Sequence, residues 1–283
     1  MIKIMADLAA DIPGELVKKH NIEILPFYIN TPTESILAGE SFTPDMFYEK
    51  FGGSDEMPST SQATPEILEA MYREAGKNQT PVIHITISGS GSGIFNTARL
   101  VSEQLREEGY NITIVDSRTY SYAIGANVVE AAKMSEAGKS AEEIVAFLEE
   151  RFREDSVYFI VDDLKYLQKG GRIKATTMVI SKVLDIKPIL KSSDGLVEAF
   201  AKVRGSKKAI SKLVDIAEEK IADAQNATVY ILHSNAPDKA DILTEMVKER
   251  INPKAIERIK VGPIISCHAG IGVFGIYFKH KPL

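Results

Sequence analysis

PVIHITISGSGSGIFNTARLVSEQL, residues 81–105, decides the fold class. Pro81–Ile87 is a short apolar run of strand length, and Ile94, Ala98, Val101 and Leu105 recur at i, i+4, i+7 and i+11, one face of a helix. Between them lies Ser88-Gly89-Ser90-Gly91-Ser92-Gly93. Glycines let backbone approach a ligand, hydroxyls offer hydrogen bonds, and a helix N-terminus adds free N–H groups with partial positive charge. In an open α/β sheet the ligand crevice lies outside the carboxyl ends of the strands, where this turn falls. The stretch therefore predicts an α/β domain with an anion-binding loop.

Three sharper readings of the glycines fail on spacing. No lysine follows Gly93, which excludes a Walker loop. Neither Ser90 nor Ser92 has glycine at both −2 and +2, as a nucleophile elbow requires. Gly270-Ile-Gly272-Val-Phe-Gly275 has dinucleotide-loop spacing but only eight residues follow it, so it reads as a glycine-rich loop entering a last strand.

Working outward, strand-like runs alternate with amphipathic stretches along the whole chain, the pattern of mostly parallel sheets flanked by helices. Thr43-Pro44 and Thr64-Pro65 each predict a hydroxyl N-cap before a first-turn proline. Ser140-Ala-Glu-Glu143 predicts a capping box opening a helix to about Arg153. A domain boundary is expected there, giving domains 1–153 and 154–283. The second half reads as strand, short helix, the loop LQKGGRI, helix, strand IKPIL, a turn at Ser193-Asp194-Gly195, strand LVEAFAKV, then further helices and strands.

The 283 residues carry 34 Lys and Arg against 39 Asp and Glu, a net charge of −5 with no basic block, so no nucleic-acid partner is expected. No run reaches the ~18 apolar residues a membrane helix needs, so no integral membrane association is expected. The N-terminal stretch has no basic n-region and places Asp7 and Asp11 where a signal peptide would be apolar. Cys267 is the single cysteine, and the five histidines lack metal-type spacing. A cytoplasmic protein with no metal site is expected.

Thr60, Ser61 and Gln62 precede the helix that Thr64 caps and are open to a ligand role. His268 lies amid apolar and glycine residues near an expected strand end, a setting shared by core histidines and ligand contacts. Arg172 and Arg204 each stand beside a glycine-bearing turn, suited to carboxylate or phosphate recognition or simply to a solvated surface.

Together, Asp7–Pro13, Thr60-Ser61-Gln62, Ser92-Gly93, Val115-Asp116-Ser117, Leu167–Ile173, Lys187–Leu190 with Asp194-Gly195, Lys202–Gly205 and His268–Gly275 resemble the DegV family over essentially the whole chain. The resemblance implies a two-domain α/β fold with a ligand tunnel between the domains, holding one long-chain fatty acid. Thr60, Ser92 and His268 would bind the carboxylate, with Ser61, Gln62, Gly91 and Gly93 as the supporting loop. Arg172 and Arg204 would dock a separate fatty acid kinase that carries ATP and magnesium, and the acyl phosphate would pass to phospholipid synthesis. On this reading the chain is a non-catalytic binding subunit without a cofactor. The sequence departs from the family at Leu8, Gly91, Ala269 and Ile271. Two other classes remain: a serine esterase or acyltransferase using Ser92 and His268 with Asp7, Asp116 or Asp162, and a carrier of another small carboxylate or phosphate.

Overall fold

The computed structural model describes residues 1–54, 57–155, 157–174, 177, 186–193 and 195–280. The chain forms two compact units, Met1–Phe42 with Pro58–Arg153 and Thr43–Met57 with Glu154–Leu283. A division into uninterrupted halves at 153 has no place for Thr43–Met57, which belongs to the second unit.

The first unit begins β1 (Lys3–Asp7), α1 (Gly14–Lys19), β2 (Glu23–Leu25), β3 (Phe27–Asn30) and β4 (Ser35–Ala38). After α2 (Pro44–Phe51), part of the second unit, come β5 (Ser59–Gln62), α3 (Pro65–Ala75), β6 (Val82–Thr86), α4 (Ile94–Glu107), β7 (Ile112–Asp116), α5 (Tyr122–Glu136) and α6 (Ala141–Glu154). Its main sheet has the order β2-β1-β6-β7, all parallel. From β1 the chain turns to β2 on one side and later to β6 on the other, so the topological switch lies between β1 and β6. The Ser/Gly loop leaves β6 at that point, where open parallel sheets place their ligands.

Local expectations hold here. Ile94, Ala98, Val101 and Leu105 are all buried along α4. Thr43 and Thr64 accept the amides of Met46 and Ile67 as N-caps. Ser140 and Glu143 exchange both capping-box hydrogen bonds, at 2.9 and 3.3 Å. The polar stretch Ser59–Gln62 is a finding beyond the sequence reading: it is an edge strand of a second, antiparallel sheet of order β4-β3-β5.

The second unit continues with β8 (Val157–Ile160), α7 (Lys165–Gly170), β9 (Ile186–Ser193), β10 (Leu196–Arg204), α8 (Ser206–Lys220), β11 (Thr228–His233), α9 (Pro237–Arg250), β12 (Ala255–Lys260), α10 (Pro263–Ala269) and β13 (Phe274–Tyr277). Its sheet, of order β10-β9-β8-β13-β11-β12, is mixed rather than mostly parallel. Among the described residues only β11 and β12 pair in parallel. The cause is connectivity: β9 and β10 form the expected hairpin, with Ser193 opposite Leu196, and β13 returns between β8 and β11 running against both. Asp194 and the helix expected between Ile173 and IKPIL lie outside the described residues. The core is Ile189, Leu213, Val214, Ile231, Phe274 and Ile276 with the apolar faces of α8 and α9. Tyr48 on α2 is buried and donates to the carbonyl of Val261 at 2.5 Å, fastening this excursion to its own unit.

Candidate functional site

The expected residues form two clusters, one in each unit. In the first, Thr60 and Gln62 share one face of β5, because strand side chains alternate, and both are half-buried. Ser61 points to the other face, where its hydroxyl accepts from Asn30 at 3.0 Å. It therefore does not join them.

Gln62 reaches α4. Its Nε2 donates to Thr97 Oγ1 at 2.8 Å, and Thr97 Oγ1 donates to the carbonyl of Gly93 at 3.3 Å. A Cβ on Gly93 would lie 3.1 Å from Gln62 Oε1, so a side chain there would make the glutamine amide give by a few tenths of an ångström. Ser92 opens the helix: its Oγ accepts the Ile94 amide at 3.4 Å, and its own amide donates to Ser88 O at 3.0 Å. Gly91 makes room for Tyr120, whose Oη would be 2.3 Å from a Cβ there. Gly89 donates to Asp116 Oδ1 at 3.0 Å, which also accepts the amide of Arg118 at 2.9 Å. Thr97, Tyr120 and Asp116 were not legible as members of this cluster, although Thr97 lies one helical turn beyond Gly93.

Beneath the loop is a buried chain of hydrogen bonds. Tyr72 Oη lies 2.6 Å from His84 Nδ1, His84 Nε2 lies 3.0 Å from Asp7 Oδ1, and Asp7 Oδ2 accepts the amide of Ile87 at 2.6 Å. All three side chains are fully buried. Tyr72 on α3 and His84 on β6 thus support the carboxylate at the end of β1, which holds the residue before Ser88.

In the second unit His268 is on α10, not at a strand end, because Pro263 starts a short helix through the apolar run PIISCHA. Its ring packs on the end of α7, with Nδ1 2.7 Å from where a Cβ of Gly170 would be. Burial, reinforced by the nearby Arg172 guanidinium, pushes its pKa down to about 4. At neutral pH it is an uncharged imidazole that can donate one hydrogen bond. The expected loop LQKGGRI is partly helical: α7 runs through Gly170, and Gly171 ends it at φ +70°. Arg172 is half-buried, and its side chain turns back to donate to the carbonyl of Gly170. Arg204 is exposed at the far end of β10 from Val197, the residue whose amide donates to the Arg172 carbonyl. Seven residues of strand separate those ends by about 20 Å, so the arginines do not form one small clamp.

The acids considered for a serine triad have other partners. Asp7 holds His84 and Ile87, Asp116 holds two loop amides, and Asp162 Oδ1 accepts from Lys239 at 2.6 Å. Asp162 also closes on the terminal glycine loop, its Oδ2 being 2.2 Å from where a Cβ of Gly272 would lie. Among the described residues no group of three His, Cys, Asp or Glu could hold a metal ion, and no helix is long and apolar enough to cross a membrane.

Comparison with known proteins agrees with this architecture. The chain is 34% identical to a DegV domain-containing protein of Clostridium perfringens over 280 residues, covering 97% of this chain and 96% of that one. Two solved structures each align over 99% of both chains. One, described as fatty acid binding of a DegV family protein from Thermus thermophilus, has a TM-score of 0.87 at 29% identity. The other, described as DegV, a fatty acid binding protein from Bacillus subtilis, has a TM-score of 0.86 at 31% identity. A family model described as "Uncharacterised protein, DegV family" matches residues 1–281, and the chain belongs to the DegV family.

Proposed function

We propose that this protein binds one long-chain fatty acid and presents its carboxylate to a separate ATP-dependent kinase. The observation that supports the reading is the Ser/Gly loop between β6 and α4 at the switch point of the parallel sheet, and on this reading Thr60 and Ser92 serve as its hydroxyl anchors. It is supported by whole-chain similarity to solved structures described as fatty-acid-binding. A fatty acid brings one small anion and a chain worth about 0.8 kcal/mol per buried methylene, so its carrier needs few polar anchors. Thr60, Ser92 and the neutral imidazole of His268 hold the carboxylate by hydrogen bonds. None of them pairs it with a formal charge, so the oxygen stays nucleophilic.

In the coupled reaction a carboxylate oxygen attacks the γ-phosphorus of ATP, the bond from that phosphorus to the bridging oxygen breaks, and acyl phosphate and ADP result. ATP and magnesium belong to the kinase. Arg172 and Arg204 face that partner, and this chain performs no turnover alone. The test is denaturing mass spectrometry of lipid extracted from the purified protein, with native mass spectrometry for stoichiometry. One long-chain acid per chain is expected. No lipid, and no uptake of added oleate or palmitate, would overturn the reading.

A further inference from the structure

Gly91 has no backbone reason to be glycine. The glycines at positive φ are 109, 138, 171, 195, 205, 270 and 272, and Gly91 is not among them. A side chain there would meet Tyr120, whose Oη, Cε1 and Cζ at the far end of the ring all lie within 3.0 Å of the place of a Cβ, so the phenol would have to shift. The phenol therefore fills the volume a side chain at 91 would take, in the middle of the Ser/Gly loop, and both residues are partly exposed.

The backbone that delivers Tyr120 is unusual. Arg118 and Ser121, on either side, stand at φ 53° and 58°, a region that costs non-glycine residues of order 1–3 kcal/mol each. Two carboxylates hold them there: Asp116 Oδ1 accepts the Arg118 amide at 2.9 Å, and Asp11 Oδ2 accepts the Ser121 hydroxyl at 2.5 Å. Asp116 also accepts the Gly89 amide, so one side chain fixes both the loop and the segment carrying the phenol. Strain maintained by two buried or half-buried aspartates aims one aromatic residue at one glycine.

We infer that Tyr120 is a further head-group residue, whose phenol stands where a side chain of residue 91 would be and donates a hydrogen bond to the ligand's anionic group beside Ser92. The inference rests on the fatty-acid reading and deepens it. A hydrogen bond to a charged acceptor is stronger than one to a neutral acceptor, so Tyr120 favours a carboxylate over an uncharged head group of equal chain length.

The test compares binding of oleate and of oleyl alcohol by the full chain, with melting temperature as the folding control. Tyr120→Phe is expected to weaken oleate about tenfold and oleyl alcohol less than about threefold. Gly91→Ala, which displaces the phenol, should weaken oleate by a similar factor, and adding Tyr120→Phe to it should cost little more. Equal loss for both ligands, or no loss, overturns the assignment and leaves the fatty-acid reading intact. If the unaltered chain takes up neither ligand, the fatty-acid reading fails and this assignment with it.

Discussion

A Cβ on Gly170 would lie 2.7 Å from Nδ1 of His268, so the last residue of α7 is in direct contact with the imidazole on α10. Gly170 does not stand at positive φ, so alanine is acceptable to its backbone. In a helix alanine is favoured over glycine by up to about 1 kcal/mol. Gly170→Ala should nevertheless destabilise the protein and weaken oleate binding, because the new methyl displaces the ring. In a His268→Ala background the same change should be neutral or stabilising. Thermal melts of the four proteins in this cycle decide it, and additivity would show that the contact has no energetic consequence.

His268 also sets a pH dependence. Its folded pKa of about 4 is below the ordinary 6.5. Between those values an unfolded chain takes up a proton at this position that the folded chain refuses. Stability is therefore retained above pH 6.5 and lost as pH falls towards 4, by on the order of 2–3 kcal/mol from this group. Urea midpoints at pH 7 and pH 4.5 should fall further apart for the native sequence than for His268→Asn. An identical difference in both would mean that the imidazole titrates normally.

The two threonines near β5 divide capping from ligand contact. Thr64 accepts the Ile67 amide and starts α3, whereas Thr60 lies on the Gln62 face of the strand. Thr64→Ala should cost about 1 kcal/mol of stability and leave oleate affinity unchanged. Thr60→Val, which keeps the shape and the β-branch, should lower oleate affinity severalfold with little effect on melting. The opposite pattern would remove Thr60 from the head-group site.

Features written in neighbouring residues were readable in advance. The Ile94–Leu105 stripe, the three hydroxyl caps and the 193–196 hairpin each depend on spacing within a few positions. Ser59–Gln62 was not read as a strand because its residues are polar, and only pairing with β3 makes it one. His268 is expected near a strand end yet stands on a helix, because a short run apolar on all sides such as PIISCHA carries no period to separate helix from strand. Gly91 with Tyr120 and Gly170 with His268 are separated by 29 and 98 positions, distances at which no local rule operates.

The buried chain Tyr72–His84–Asp7 makes a stability prediction. Removing one partner leaves a buried polar group without its hydrogen bond, at about 1–3 kcal/mol. Tyr72→Phe, which strips Nδ1 of its 2.6 Å partner, should fall in that range. His84→Leu should cost more, since it leaves both Tyr72 Oη and Asp7 Oδ1 without their buried partner. Denaturant titration checks the order, and His84→Leu costing less than Tyr72→Phe would mean that the His84–Asp7 hydrogen bond adds little to the fold.

The arginines should separate when reversed singly. Arg172 stands beside His268 and lowers its pKa, whereas Arg204 is about 20 Å along β10 from that end. Arg204→Glu should leave oleate binding intact and reduce acyl phosphate formation in the presence of the kinase. Arg172→Glu should reduce that reaction too, and in addition raise the pKa of His268 by reversing a neighbouring charge, visible as an upward shift of its imidazole NMR titration. Both effects depend on charge, so Arg172→Lys should restore the titration in large part, and added salt should diminish the kinase defect of Arg204→Glu little if the contact is buried in the complex and strongly if it is an exposed steering charge. Full kinase-supported activity in both reversals would take the arginines out of the partner interface.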